Sequence, residues 1–187
     1  MIRIVFILFF ISFQFSVAQD DEMPWRSDQK LTWEDFKSAP DYSHPYAAIT
    51  FSGMSITFSG TSYGLSDDVV NGEANINYKV NCFFVASKSW VKRRYKGDKE
   101  LLRHEQLHFD ITELYARKFR EELSNMTFTD NVKAEIKTVY KRITKQKTLL
   151  QKKYDFETDH SKNEAAQKMW QLKIESELQN RIEFASK

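Results

Sequence analysis

The segment Leu101–Leu123, LLRHEQLHFDITELYARKFREEL, spaces Leu101, Leu102, Leu107, Ile111, Leu114, Tyr115 and Phe119 at three- and four-residue intervals. That spacing predicts an amphipathic helix of several turns ending near Asn125. What lies on either side of it decides the fold. Upstream, EANINYKVNCFFVASKSW alternates Ile76, Tyr78, Val80, Cys82 and Phe84 against Asn75, Asn77, Lys79 and Asn81, the period of a half-buried strand with antiparallel neighbours. Downstream of Lys99 the chain reads as helix almost to its end. Strands first and helices second define an α+β architecture.

Working outward, AAITFSGMSITFS carries Ile49, Phe51, Ile56 and Phe58 around Gly53 and predicts a strand pair or one bulged strand. The connector YGLSDDVVNGE ends in Asn71-Gly72, a strong turn signal. Before these, Trp33 to Phe36 form one helical turn in an otherwise irregular lead-in broken by Pro40 and Pro45. A second helix, capped at Thr129 or Asp130, places Val132, Ile136, Val139, Tyr140, Ile143 and Leu150 on one side. YDFETDHS then interrupts it. A third helix, capped at Thr158 or Asp159 or by a Ser161–Glu164 capping box, runs through Ala165, Met169, Trp170, Leu172 and Ile174. Trp33, Trp90 and Trp170 read as packing residues.

The 187 residues open with MIRIVFILFFISFQFSVAQD: one cation, a short apolar run and small residues. This is the pattern of a secretory signal peptide, residues 1–18, cleaved after Ala18. Residues 19–187 then suit one domain, exported to the periplasm or the cell exterior, with nothing apolar enough for stable membrane insertion. Lys plus Arg number 28 against 26 Asp plus Glu, a formal charge of +2 that gives no case for nucleic acid. The single cysteine, Cys82, sits in the alternating strand and reads as a buried thiol.

The chemistry lies in the quoted helix. His104 and His108 are four residues apart, about 40° around a helix, so both imidazoles reach one ion. Glu105, one position on, is placed to act as a base on water. This is the HExxH pattern of zinc hydrolases, with Zn2+ as the implied cofactor. The extended form of the motif fails, because Ile111 and Leu114 stand where it has glycine and histidine, so a third ligand must come from elsewhere. His160, at the break before the third helix, is favoured, with Glu135, Asp155, Asp159 and His44 as the alternatives. Tyr154 is a candidate oxyanion donor.

RHEQLHFDITELYARKF together with YDFETDHSKNEAAQKMW, and more weakly LTWEDFKSAP, resembles a bacterial family of predicted secreted zinc-dependent proteases, domain of unknown function 922, in the zincin-like superfamily. The resemblance spans about Leu31 to Trp170. It implies a zincin-like fold: a small, mostly antiparallel sheet whose edge strand can align an extended peptide, followed by three long helices, the first carrying HExxH. It also implies His104, His108 and His160 as ligands, Glu105 as base, Asp110 as a partner orienting a histidine or a neighbouring loop, and a peptide or protein substrate. The competing reading is a catalytically silent envelope module, for which the basic segment KTVYKRITKQKTLLQKKY offers a contact surface.

Overall fold

Alternation decides which side of β4 (Tyr78–Val85) is covered: Val80, Cys82 and Phe84 are buried, while Lys79 is exposed. The computed structural model describes residues 21–58, 77–129 and 131–186; the expected signal peptide, the Asn71-Gly72 turn and Ile76 lie outside them. β4 is the central strand. On one side it pairs antiparallel with β3 (Ser52–Phe58), from Ser52 opposite Phe84 to Phe58 opposite Tyr78. On the other it pairs antiparallel with β1 (Glu22–Pro24), a strand the irregular lead-in did not foretell. Pro24 is tolerated there because an edge strand need not donate every N–H. Gly53 faces Phe83 across the ladder, and a Cβ at Gly53 would stand 3.0 Å from the Phe83 ring.

The run expected as one bulged strand or a strand pair divides instead between two sheets. β2 (Ala48–Ile49) pairs antiparallel with β5 (Trp90–Val91), apart from the β1-β4-β3 sheet. The break falls at Thr50 and Phe51, whose groups are drawn elsewhere. Thr50 Oγ1 donates to the Glu105 carbonyl at 3.3 Å, and Ser89 Oγ accepts from the Phe51 amide at 2.9 Å.

Helix α1 (Lys99–Ser124) begins where Asp98 accepts from the Leu101 amide at 2.9 Å, satisfying one orphan donor of the first turn. From His104 to Arg117 only His108 is not fully buried. That burial follows from its position: α1 packs on β3 and β4, on α2 (Val132–Glu157) and on α3 (Glu164–Gln179). Polar residues on such a helix need partners. Glu113, wholly buried, accepts from Arg117 at 3.0 Å and Arg120 at 3.1 Å. On the side away from the histidines, Asp110 accepts from Trp25 Nε1 at 2.7 Å and Gln106 Nε2 at 2.8 Å, and Gln106 Oε1 accepts from the Leu31 amide at 2.7 Å. Asp110 thus orients the N-terminal segment and not a histidine. Burial raises its carboxyl above the usual range, against the pull of Lys30 and the two donors.

The helix ends differ from expectation in ways that matter for the site. Asn131 is the N-cap of α2. Thr129 instead braces the turn, accepting from the Asn131 amide and donating to Glu135 at 2.5 Å; Asp130 lies outside the described residues. α2 continues through Glu157, past the expected break. α3 is capped by Asn163, which accepts from the Ala166 amide at 3.1 Å, while Thr158 is buried and donates back to the Tyr154 carbonyl. The buried row of α3 is Gln167, Trp170, Ile174 and Leu178, leaving Met169 and Leu172 exposed. A polar residue opens that row, so hydrophobicity alone misplaces its centre. Trp33, Trp90, Trp170 and Cys82 are buried as expected, and burial pushes the Cys82 thiol well up. No helix of the described residues is long and apolar enough to cross a membrane.

Candidate metal centre

The i, i+4 spacing on α1 brings the two imidazoles together with their Nε2 atoms 3.2 Å apart. The last turn of α2 then delivers a carboxylate to both: Asp155 Oδ1 is 2.9 Å from His108 Nε2 and 3.2 Å from His104 Nε2. Among the described residues His104, His108 and Asp155 are the group whose donor atoms lie within 4.8 Å of one another. In a tetrahedral zinc site with bonds of about 2.0–2.1 Å, neighbouring ligand atoms are about 3.3–3.4 Å apart. The three observed separations come within a few tenths of an ångström of that edge, and the donor set, two imidazole nitrogens and one carboxylate oxygen, is one zinc accepts. The residues fit the ion.

What stands behind the histidines supports the same reading. His104 is buried, and its Nδ1 lies 3.1 Å from Gln167 Oε1, which also accepts from the Tyr154 hydroxyl at 2.6 Å. An ion among the donors would take the Nε2 lone pair of His104 and leave its proton on Nδ1, where Gln167 Oε1 can accept it, the usual arrangement behind a metal-bound histidine. The Tyr154 ring stacks on His104 at 4.5 Å and 21°, and meets His108 edge-on at 5.0 Å. On His108, burial favours the neutral ring, but the hydrogen bond and charge of Asp155, with Glu105 behind, outweigh it and leave the imidazole raised. Burial opposes the Asp155 charge as well; its bonds to His104 and His108 prevail and hold the carboxyl far below the usual range.

The cluster opens on a cavity of about 240 Å³, lined by His104, Glu105 and His108 from α1, Asp155 and His160 from the end of α2 and beyond, and the segment around β2. Glu105 is 4% exposed, and among the described residues its carboxylate has no hydrogen-bond partner. The expected Tyr154 role meets a different geometry. Its side chain is wholly buried, its proton is committed to Gln167, and burial raises its hydroxyl beyond the ordinary tyrosine range. Tyr154 is therefore placed to orient His104. His160, expected as the third ligand, stands beside the cluster, its Nδ1 3.7 Å from Asp155 Oδ1. His44 lines the same cavity, while Glu135 is tied to Thr129 at the far end of α2. Gln167 was not foreseen at all, since a glutamine in a helical stretch carries no signal by itself.

Residues 85–161, which hold α1, α2 and all three clustered donors, match the family described as a bacterial protein of unknown function (DUF922). No curated protein and no solved structure matches the chain.

Proposed function

We propose that this chain is a zinc-dependent peptidase of zincin type, exported from the cell, that hydrolyses peptide bonds with Glu105 as general base. The observation that carries the reading is the Glu105 carboxylate, without a hydrogen-bond partner among the described residues, lining the same cavity as a three-donor cluster of tetrahedral dimensions. An ion of zinc's kind held by His104, His108 and Asp155 would supply the Lewis acidity that polarises a carbonyl and acidifies water. Glu105 then accepts the proton of the attacking water and returns it to the leaving nitrogen, a shuttle that needs a carboxylate within hydrogen-bond reach and free of other partners. Gln167 and Tyr154 fix the ring of His104 throughout. The β2 segment borders the cavity, and an extended peptide laid beside it would gain backbone hydrogen bonds.

The test is the chain from Gln19 to Lys187 beside its Glu105→Gln variant. Zinc is measured by elemental analysis and hydrolysis on a fluorogenic peptide library. The reading expects about one zinc per chain in both proteins, with turnover in the wild type and at least ~100-fold less in the variant. A second reading, a silent binding module, draws on the outer side of α2, where Lys137, Lys141, Lys145 and Lys152 are all exposed. Zinc in both proteins with hydrolysis in neither would favour it.

A further inference from the structure

Three consecutive residues other than glycine, Asp159, His160 and Ser161, hold φ values of 45°, 51° and 78°. Left-handed backbone is unfavourable for each of them, and a run of three persists only where the surroundings over-determine it. Backbone bonds pin the run at both ends, His160 N to the Asp155 carbonyl at 3.0 Å and Asn163 N to the Thr158 carbonyl at 2.8 Å. The strained turn has one evident product: it folds His160 back over Asp155 at the rim of the cavity. A chain of tilted and edge-on ring contacts holds it there. Tyr46 lies 4.7 Å from His160, His44 4.6 Å from Tyr46, and the buried Trp90 5.9 Å from His44.

Resting on the peptidase reading above, we propose that His160 is a catalytic residue that donates a hydrogen bond from Nδ1 to the substrate carbonyl oxygen as that oxygen takes on negative charge. Nδ1 faces the cluster, yet 3.7 Å to Asp155 Oδ1 is too long for a hydrogen bond. With its proton on Nδ1, the ring would have no acceptor among the described residues and could donate to an oxygen entering beside the cluster. Thr50 Oγ1 and Gln151 Nε2, which also border the cavity, are engaged with the Glu105 carbonyl and with the His108 carbonyl and Thr112 Oγ1. Tyr46 and His44 line it as well, but His160 is the ring whose Nδ1 stands beside the cluster's carboxylate. Tyr154 is spent on Gln167. A neutral imidazole suffices, since no proton changes hands at His160. Glu105 moves the proton and His160 stabilises the charge.

Two variants separate the possibilities. His160→Phe keeps a ring against Tyr46 but removes the donor. His160→Asn sets an amide N–H near the position of Nδ1 and tolerates left-handed backbone. Zinc content, kcat and KM are measured on the library peptide that the wild type cleaves fastest. The proposal expects unchanged zinc in both variants, kcat lowered roughly 100-fold in His160→Phe with KM little altered, and most of that loss recovered in His160→Asn. Equal kcat in His160→Phe overturns the proposal while leaving the peptidase reading intact. Loss of zinc from His160→Phe makes His160 a ligand and overturns it also. A zinc-loaded wild type that cleaves nothing removes the peptidase reading, and this proposal with it.

Discussion

Asp155 and Gln167 act on the same imidazole from opposite sides, and the physics assigns them unequal weight. Asp155 Oδ1 belongs to the donor triangle itself. Gln167 touches only the remote nitrogen of His104. Removing an outer partner of a metal-bound histidine typically weakens binding by about 10–100-fold. Removing a ligand should do more, because two imidazoles are left to hold an ion that prefers four donors. We therefore expect Asp155→Ala to lose zinc by more than ~100-fold and Gln167→Ala by about 10–100-fold, read by competition titration against a chromophoric chelator. Gln167→Ala should also cost about 1–3 kcal/mol of stability, since it strands His104 Nδ1 in the interior and leaves the Tyr154 hydroxyl only its longer bond to the His104 carbonyl. The reverse ranking for zinc would move Asp155 out of the ligand set.

Among the elements, the turn between α2 and α3 joins strain to position, and its three residues do not share the work. His160 faces the cavity, but the Ser161 side chain makes no hydrogen bond among the described residues, so its φ of 78° is a cost with no local return. Ser161→Gly should relieve part of the ~1–2 kcal/mol that left-handed backbone costs an ordinary residue, offset by the greater freedom of glycine in the unfolded chain. A net gain of about 0.5–1 kcal/mol in urea unfolding is expected, with zinc affinity unchanged. A loss of stability would mean that the serine has a partner in solution. This turn also marks where the sequence ceased to be readable. α1 was legible because its apolar period and its HExxH spacing agree. Asp155 was harder to see because YDFETDHS looks like a helix break, whereas α2 runs on to Glu157. The signal lay in continuing the row from Leu150 to the wholly buried Tyr154, which sets Gln151 and Asp155 one turn apart facing α1. The left-handed turn itself has no glycine to announce it, because its cause is tertiary.

Across the whole molecule, the three helices meet at one point. His104 and His108 come from α1, Asp155 from the end of α2, and Gln167 from α3. Residues so distant in sequence are not assembled in the unfolded chain, so an ion that binds them binds the folded state almost alone, and its binding free energy becomes folding free energy. With zinc at about 1,000 times its dissociation constant the gain is about 4 kcal/mol. For a chain of this size each kcal/mol moves the midpoint by about 2–4 °C, so a rise in Tm of roughly 8–16 °C is expected on adding zinc to metal-free protein, reversed by a chelator. The double change His104→Ala with His108→Ala should abolish the shift. It also removes the bonds of both imidazoles to Asp155 and the His104 contact with Gln167, so the metal-free variant should be less stable than the metal-free wild type, and the zinc-dependent shift is the quantity compared. If zinc raises Tm equally in the double variant, the ion binds elsewhere, and the convergence of the three helices serves packing alone.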